Sequence, residues 1–91
     1  MLESYRFVVA GRVQGVGFRQ AVMGKALVLG LRGWVRNRDD GRVEGRVEGE
    51  ATAALDEFRH FIGQGSTAAQ VDSLCWETCT AIDEAGFRIL G

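Results

Sequence analysis

Along residues 5–13, Tyr5, Phe7, Val9 and Val13 fall on one parity, and Arg6 and Arg12 on the other. Apolar side chains at every second place mark a strand with one wet side. From residue 18 the period lengthens. Phe18, Val22, Ala26 and Leu29 recur at offsets of four, eight and eleven, with Gln20 and Lys25 elsewhere, which predicts a helix over about residues 20–29. Gly30 comes next, in the place glycine often takes just past a last helical turn. Residues 31–38 read as a second strand, and Asp39-Asp40-Gly41 carries the Asp-Gly pair of a hairpin. The third strand alternates most cleanly. Val43, Gly45, Val47 and Gly49 face one way, and Arg42, Glu44, Arg46 and Glu48 the other. A sheet with one wet face is antiparallel rather than fully covered. Residues 50–62 form a second helix with Leu55, Phe58 and Ile62 on one side, and residues 63–67 a connector. Residues 71–80 make a fourth strand of weaker alternation, and residues 86–90 a short last one.

The order is βαββαβ with a short extra C-terminal strand. Two split βαβ units predict an α+β, ferredoxin-like sandwich, an antiparallel sheet with two helices on one face. Right-handed crossovers leave few other arrangements. At 91 residues the chain is expected to be one domain, 1–91. This architecture hosts many activities, so function has to come from a site.

Composition narrows the classes. No apolar run approaches the ~20 residues that span a bilayer, and the first residues, Met1-Leu2-Glu3-Ser4, lack the features of a signal peptide. A cytoplasmic chain without a membrane partner is the default expectation. A net charge of −1 provides no global field to recruit nucleic acid. The charge is unevenly spread, however. Residues 1–50 hold nine Arg or Lys against six Asp or Glu, and residues 51–91 two against six, so the first half suits a small anion. Cys75 and Cys79 lie four apart on one expected strand, ~13 Å between Cα atoms at ~3.3 Å per residue. That span is too long for a disulfide, and with no histidine beside them they make no zinc site. They are expected to be reduced, partly buried thiols. No extra apolar strip lies outside the core pattern, so a monomer is expected.

Several chemistries drop out. The only histidine, His60, sits two places from both Phe58 and Ile62, hence on the opposite side of the helix and in water. Asp39 and Asp40 are explained by the turn. Gly24-Lys25-Ala26 lacks the hydroxyl of a Walker loop, and Gln20 stands where a dinucleotide fingerprint needs glycine. Base stacking on RNA needs exposed aromatics on central strands, and the third strand offers only Arg, Val, Glu and Gly.

What remains is Gly11-Arg12-Val13-Gln14-Gly15-Val16-Gly17-Phe18-Arg19, between a strand and a helix. Gly15 and Gly17 can take φ > 0, so successive N–H groups can converge on one small volume. The helix N-terminus adds its free N–H groups and partial positive charge. Arg19 adds a planar fork suited to two phosphate oxygens, although a tight strand-to-helix turn whose arginine simply lies in solvent would give the same pattern. Asn37 ends the second strand, which in split βαβ order can approach this loop; a turn-entering role would explain it equally well.

The same residues carry a resemblance. Val9-Ala10-Gly11-Arg12-Val13-Gln14-Gly15-Val16-Gly17-Phe18-Arg19 resembles the signature of the acylphosphatase family. Gly33-Trp34-Val35-Arg36-Asn37 with Asp40-Gly41-Arg42-Val43-Glu44 resembles its second motif, while Gly65 through Val71 and Phe87-Arg88-Ile89 match weaker features. Ser66-Thr67 stand where the family often has prolines, and the chain ends Leu90-Gly91. The resemblance implies the ferredoxin-like fold and hydrolysis of acyl phosphates to a carboxylate and inorganic phosphate, with no metal or other cofactor. It implies substrate binding by Gln14, Gly15, Val16, Gly17, Phe18 and Arg19, and a catalytic pair in which Arg19 holds phosphate and Asn37 positions water. An anion-binding regulatory or maturation module, of the kind that opens hydrogenase-maturation proteins acting on carbamoyl phosphate, is the alternative.

Residue chemistry narrows the reaction independently. An arginine is not deprotonated near neutral pH and a carboxamide does not titrate. A site built from these and backbone amides has no proton to give a leaving group. It therefore suits a leaving group that departs as a stable anion, such as a carboxylate, and not an alkoxide.

Overall fold

A computed structural model describes residues 1–65 and 68–90. The elements are β1 (Glu3–Arg12), α1 (Phe18–Val28), β2 (Arg32–Asn37), β3 (Val43–Gly49), α2 (Thr52–Gln64), β4 (Gln70–Thr78) and β5 (Phe87–Leu90). They form one five-stranded sheet in the order β4-β1-β3-β2-β5. The first four strands pair antiparallel, as two split βαβ units require. The fold is the expected ferredoxin-like α+β sandwich.

The added strand departs from the antiparallel expectation, since β5 runs parallel to β2 and makes the sheet mixed. The cause is the route taken by the chain. Leaving β4, Cys79 N–H donates to the Ser4 carbonyl and Ile82 N–H to Glu48 Oε1, while Gly33 N–H donates to the Gly86 carbonyl at 3.0 Å. The crossing therefore stays at the sheet end where β2 begins. A strand that starts beside the start of β2 has to run with it.

Both helices pack on the face that carries Phe7, Val9, Val35, Val43 and Val47, and one core cluster joins them. Phe18, Val22 and Ala26 of α1, and Leu55, Phe58 and Ile62 of α2, are buried there. Phe7 stands opposite Gly45 in the ladder, and a Cβ at Gly45 would run into its ring. The Val-Gly alternation of β3 thus leaves room for an aromatic side chain from β1. Phe7 meets Phe58 edge-on with centroids 5.6 Å apart. Each such ring contributes roughly 1.5–3 kcal/mol by leaving water.

Several local expectations shift. α1 begins at Phe18, two residues before the periodicity suggested, because Phe18 itself anchors the first turn in the core. Glu48, expected on the wet face, is only 3% exposed, because the crossing segment lies over it. Cys75 is exposed rather than partly buried, whereas Cys79 is half-buried, and both are free. His60 is exposed. Ser66, Thr67 and Gly91, which depart from the family pattern, lie outside the described residues. Among the described residues no helix is long and apolar enough to cross a membrane.

Candidate active site

The sheet brings the two sequence motifs to one end. β1 and β2 both run antiparallel to β3, which lies between them. Their C-terminal ends, Arg12 and Asn37, therefore emerge together on either side of Val43, where β3 starts. The glycine loop that continues β1 and the asparagine that closes β2 share that edge.

β1 leaves the sheet through an irregularity between Ala10 and Gly11. Gly11 has φ 135°, and a Cβ there would strike the Gln70 carbonyl and come within 2.8 Å of the Asp72 nitrogen. Such bulges bend a strand and re-aim the chain beyond them. Past this one, Gly15 and Gly17 take left-handed φ of 74° and 77°. A Cβ at either would meet no atom within 4 Å, so these glycines serve backbone conformation, and the space beside them is open.

Gly17 also caps α1. No side chain caps this end and no acid stands in the first turn. The first helical bond runs from Ala21 N–H to the Gly17 carbonyl at 3.1 Å. The N–H groups of Phe18, Arg19 and Gln20 precede it and have no acceptor within the helix. The positive end of the helix dipole therefore lies at this turn, directly after the glycine loop. Phe18, 1% exposed, holds this turn in place, and Val16 packs partly against the core. Arg19 is the second residue of α1 and half-buried.

Asn37 pairs with Val43, which pairs in turn with Val9. Residues directly opposite share a face of the sheet, so Asn37 lies on the helix-bearing side. Its Oδ1 is buried and has no hydrogen-bond partner among the described residues. Leaving such an acceptor unsatisfied costs about 1–3 kcal/mol, and an exception of that size calls for an explanation.

The adjoining hairpin is tightly closed. Arg38 N–H donates to the Arg42 carbonyl at 2.8 Å, Gly41 N–H to the Arg38 carbonyl at 3.3 Å, and Arg42 N–H to Asp40 Oδ1 at 3.1 Å. Asp40 thus performs turn chemistry. Gln14, expected at the substrate, places its Nε2 2.7 Å from the Arg38 carbonyl and 2.9 Å from that of Arg42. Sequence reasoning missed this link, because its partners lie 24 and 28 residues away and leave no local pattern. A hollow of about 470 Å³ beside the hairpin includes Asn37 in its lining but no residue of 14–19. Its three arginines are already paired, Arg6 with Glu77 at 2.9 Å, Arg36 with Glu44 at 2.8 Å and Arg38 with Asp40 at 3.0 Å. It is not an anion cradle.

By its fold the chain stands among the ferredoxin-like α+β domains, with a glycine-bearing first β–α turn leading into a helix that has no side-chain cap. Likeness to known proteins is more specific. Residues 5–89 match the family model described as Acylphosphatase. A protein named acylphosphatase from Nitrosococcus oceani is 49% identical over 71 residues, covering 78% of this chain and 79% of that one. The structure of an acylphosphatase from Coxiella burnetii superposes with a TM-score of 0.92 at 34% identity, covering 98% of this chain and 93% of that one. Full-length HypF, in a phosphate- and nucleotide-bound form, matches with a TM-score of 0.90 at 27% identity, over 100% of this chain but 12% of its own. The chain belongs to the acylphosphatase family.

Proposed function

We propose that the chain hydrolyses acyl phosphates to a carboxylate and inorganic phosphate, by in-line attack of water on a phosphoryl group held by the 14–19 loop. What supports this reading is that the glycine loop leaves β1 at the sheet end where β2 closes on Asn37, whose buried Oδ1 has no hydrogen-bond partner among the described residues. The backbone N–H groups of the loop and first helical turn, with the Arg19 guanidinium, receive the phosphoryl oxygens. They absorb the charge spread over those oxygens in a loose transition state.

Asn37 Oδ1 accepts a hydrogen from the attacking water. Accepting rather than donating matters, because it leaves the water's lone pair directed at phosphorus. A bond forms between water oxygen and phosphorus, the bond from phosphorus to the acyl oxygen breaks, and the carboxylate leaves with the electron pair. No proton has to be supplied to it. The water's proton passes to a phosphoryl oxygen or to bulk water. Neither Arg19 nor Asn37 can take it.

The likeness to HypF, solved in a phosphate- and nucleotide-bound form, supports a second reading, an anion-binding regulatory or maturation module without significant turnover of its own. One assay separates the two. The purified chain, given benzoyl phosphate, should release inorganic phosphate with saturation kinetics and keep doing so in excess chelator. Phosphate binding without turnover would favour the module; activity lost to chelator and restored by Mg²⁺ would overturn the metal-free scheme.

A further inference from the structure

Gln14 lies between the two segments that the reaction needs in register. Its Nε2 reaches the Arg38 carbonyl at 2.7 Å and the Arg42 carbonyl at 2.9 Å. Both partners are acceptors, so both hydrogens of the carboxamide are committed to them. None is left for a phosphate oxygen. The remaining Oε1 is itself an acceptor, so it offers nothing to the unprotonated oxygens of a phosphoryl group.

The two carbonyls are those that close the β2–β3 hairpin. Arg42's already accepts from Arg38 N–H at 2.8 Å, and Arg38's from Gly41 N–H at 3.3 Å. Gln14 occupies the second lone pair of each. One residue before Arg38 stands Asn37; one residue after Gln14 stands Gly15, the first left-handed glycine of the loop. The covalent path from Gln14 to Asn37 runs through the whole of α1 and β2. The hydrogen-bonded path is a single side chain.

We propose that Gln14 is a positioning residue whose paired hydrogen bonds set the spacing between the phosphate loop and the Asn37 carboxamide, without its side chain touching phosphate. The inference rests on the loop and Asn37 being the two halves of one site, as the proposed function has them. Its leverage comes from geometry. In-line attack needs the reacting atoms about 3–3.5 Å apart, and a misplacement of ~1 Å can cost ~10²-fold in rate. The phosphate grip, made by backbone amides and Arg19, needs no such registry with the hairpin.

The test is a split between parameters in Gln14→Ala, measured with benzoyl phosphate well below the melting temperature. kcat should fall about 10- to 10²-fold, while the competitive Ki of inorganic phosphate stays within about threefold. Gln14→Glu keeps the length of the side chain but turns lone pairs toward both carbonyls, and should lose at least as much. A Ki that rises as far as kcat falls would make Gln14 a phosphate ligand; a lowered melting temperature with unchanged kcat would make it a stabilising tie only. Either result overturns the proposal. Should Gln14→Ala fold poorly, Gln14→Met retains the bulk and is judged by the same split. A readout independent of turnover separates this claim from its parent. Titrating inorganic phosphate into the unaltered chain should shift the NMR resonances of the Asn37 carboxamide and of hairpin amides 38–42 along with loop amides 15–19. In Gln14→Ala only the loop should respond, and a hairpin response that survives the substitution would sink the brace even if the enzyme proved inactive.

Discussion

In the proposed reaction Arg19 and Asn37 divide the work according to what their side chains are unable to do. A guanidinium does not give up its proton near neutral pH, and a carboxamide neither gains nor loses one. One can only hold charge, and the other can only orient. Arg19→Ala should therefore remove both turnover and phosphate affinity. Asn37→Ala should retain phosphate affinity, read as the Ki of inorganic phosphate, and lose about 10²–10³ in kcat, the usual cost of one preorganised hydrogen bond at a reacting centre. The pair also sets the pH profile. With no titrating side chain in the scheme, kcat should be flat from about pH 5 to 8, where a histidine acid or base would bend it. A bell-shaped profile would reveal a general acid or base that the scheme lacks. The left-handed turns at Gly15 and Gly17 were legible because glycine alone takes that conformation without a Cβ penalty. Asn37 was legible only as one of two roles, since a turn and a water site both use a carboxamide.

α1 and the crossing segment show how elements acquire function from their ends. α1 presents an N-terminus with no side-chain cap because Gly17, with φ 77°, turns the chain into it. Gly17→Ala should cost about 1–2 kcal/mol from the left-handed backbone alone. Its methyl would also stand in the open space beside the first helical turn, so in the proposed scheme phosphate affinity should fall along with stability, as calorimetry and Ki would show. At the other end of the sheet Glu48 ties down the crossing between β4 and β5. It accepts from Ser4 Oγ–H at 2.7 Å and Ile82 N–H at 2.9 Å, and pairs with Arg32 at 3.1 Å. The Ser4 hydroxyl first, then the Ile82 amide, hold its carboxyl below the ordinary value of 4.5 against the opposing effect of burial. A carboxyl depressed in the folded state stabilises it above the unfolded pKa, and that stability is lost as pH falls through the folded value. The melting temperature should thus drop below about pH 4.5, and less steeply in Glu48→Gln, which lacks the titration. Near neutral pH that variant should be less stable by about 1–3 kcal/mol, or some 4–8 °C per kcal/mol for a domain of this size.

For the molecule as a whole, stability rests on a single layer between sheet and helices. Phe58 sits at its centre, buried, 5.6 Å from Phe7 and 6.1 Å from Phe87 between ring centroids. Phe58→Ala should cost about 3–5 kcal/mol, a large share of the roughly 5–15 kcal/mol that holds a small domain. Denaturant titration should show a markedly lower midpoint, whereas trimming exposed His60 should change stability by no more than about 0.5 kcal/mol.

The alternation of β1 and β3 and the stripes of α1 and α2 were readable from the order of residues alone. Each is a local periodicity, and burying an apolar face is the force that turns such a period into an element. From those periods came the ferredoxin-like layering, and with it the approach of the glycine loop to the end of β2. Other features depend on which distant segments pass one another, and no period records that. The parallel entry of β5, the burial of Glu48 beneath the crossing and the hold of Gln14 on two hairpin carbonyls are of this kind. A hydrogen bond between residues far apart in sequence becomes visible only when the chain has closed around it.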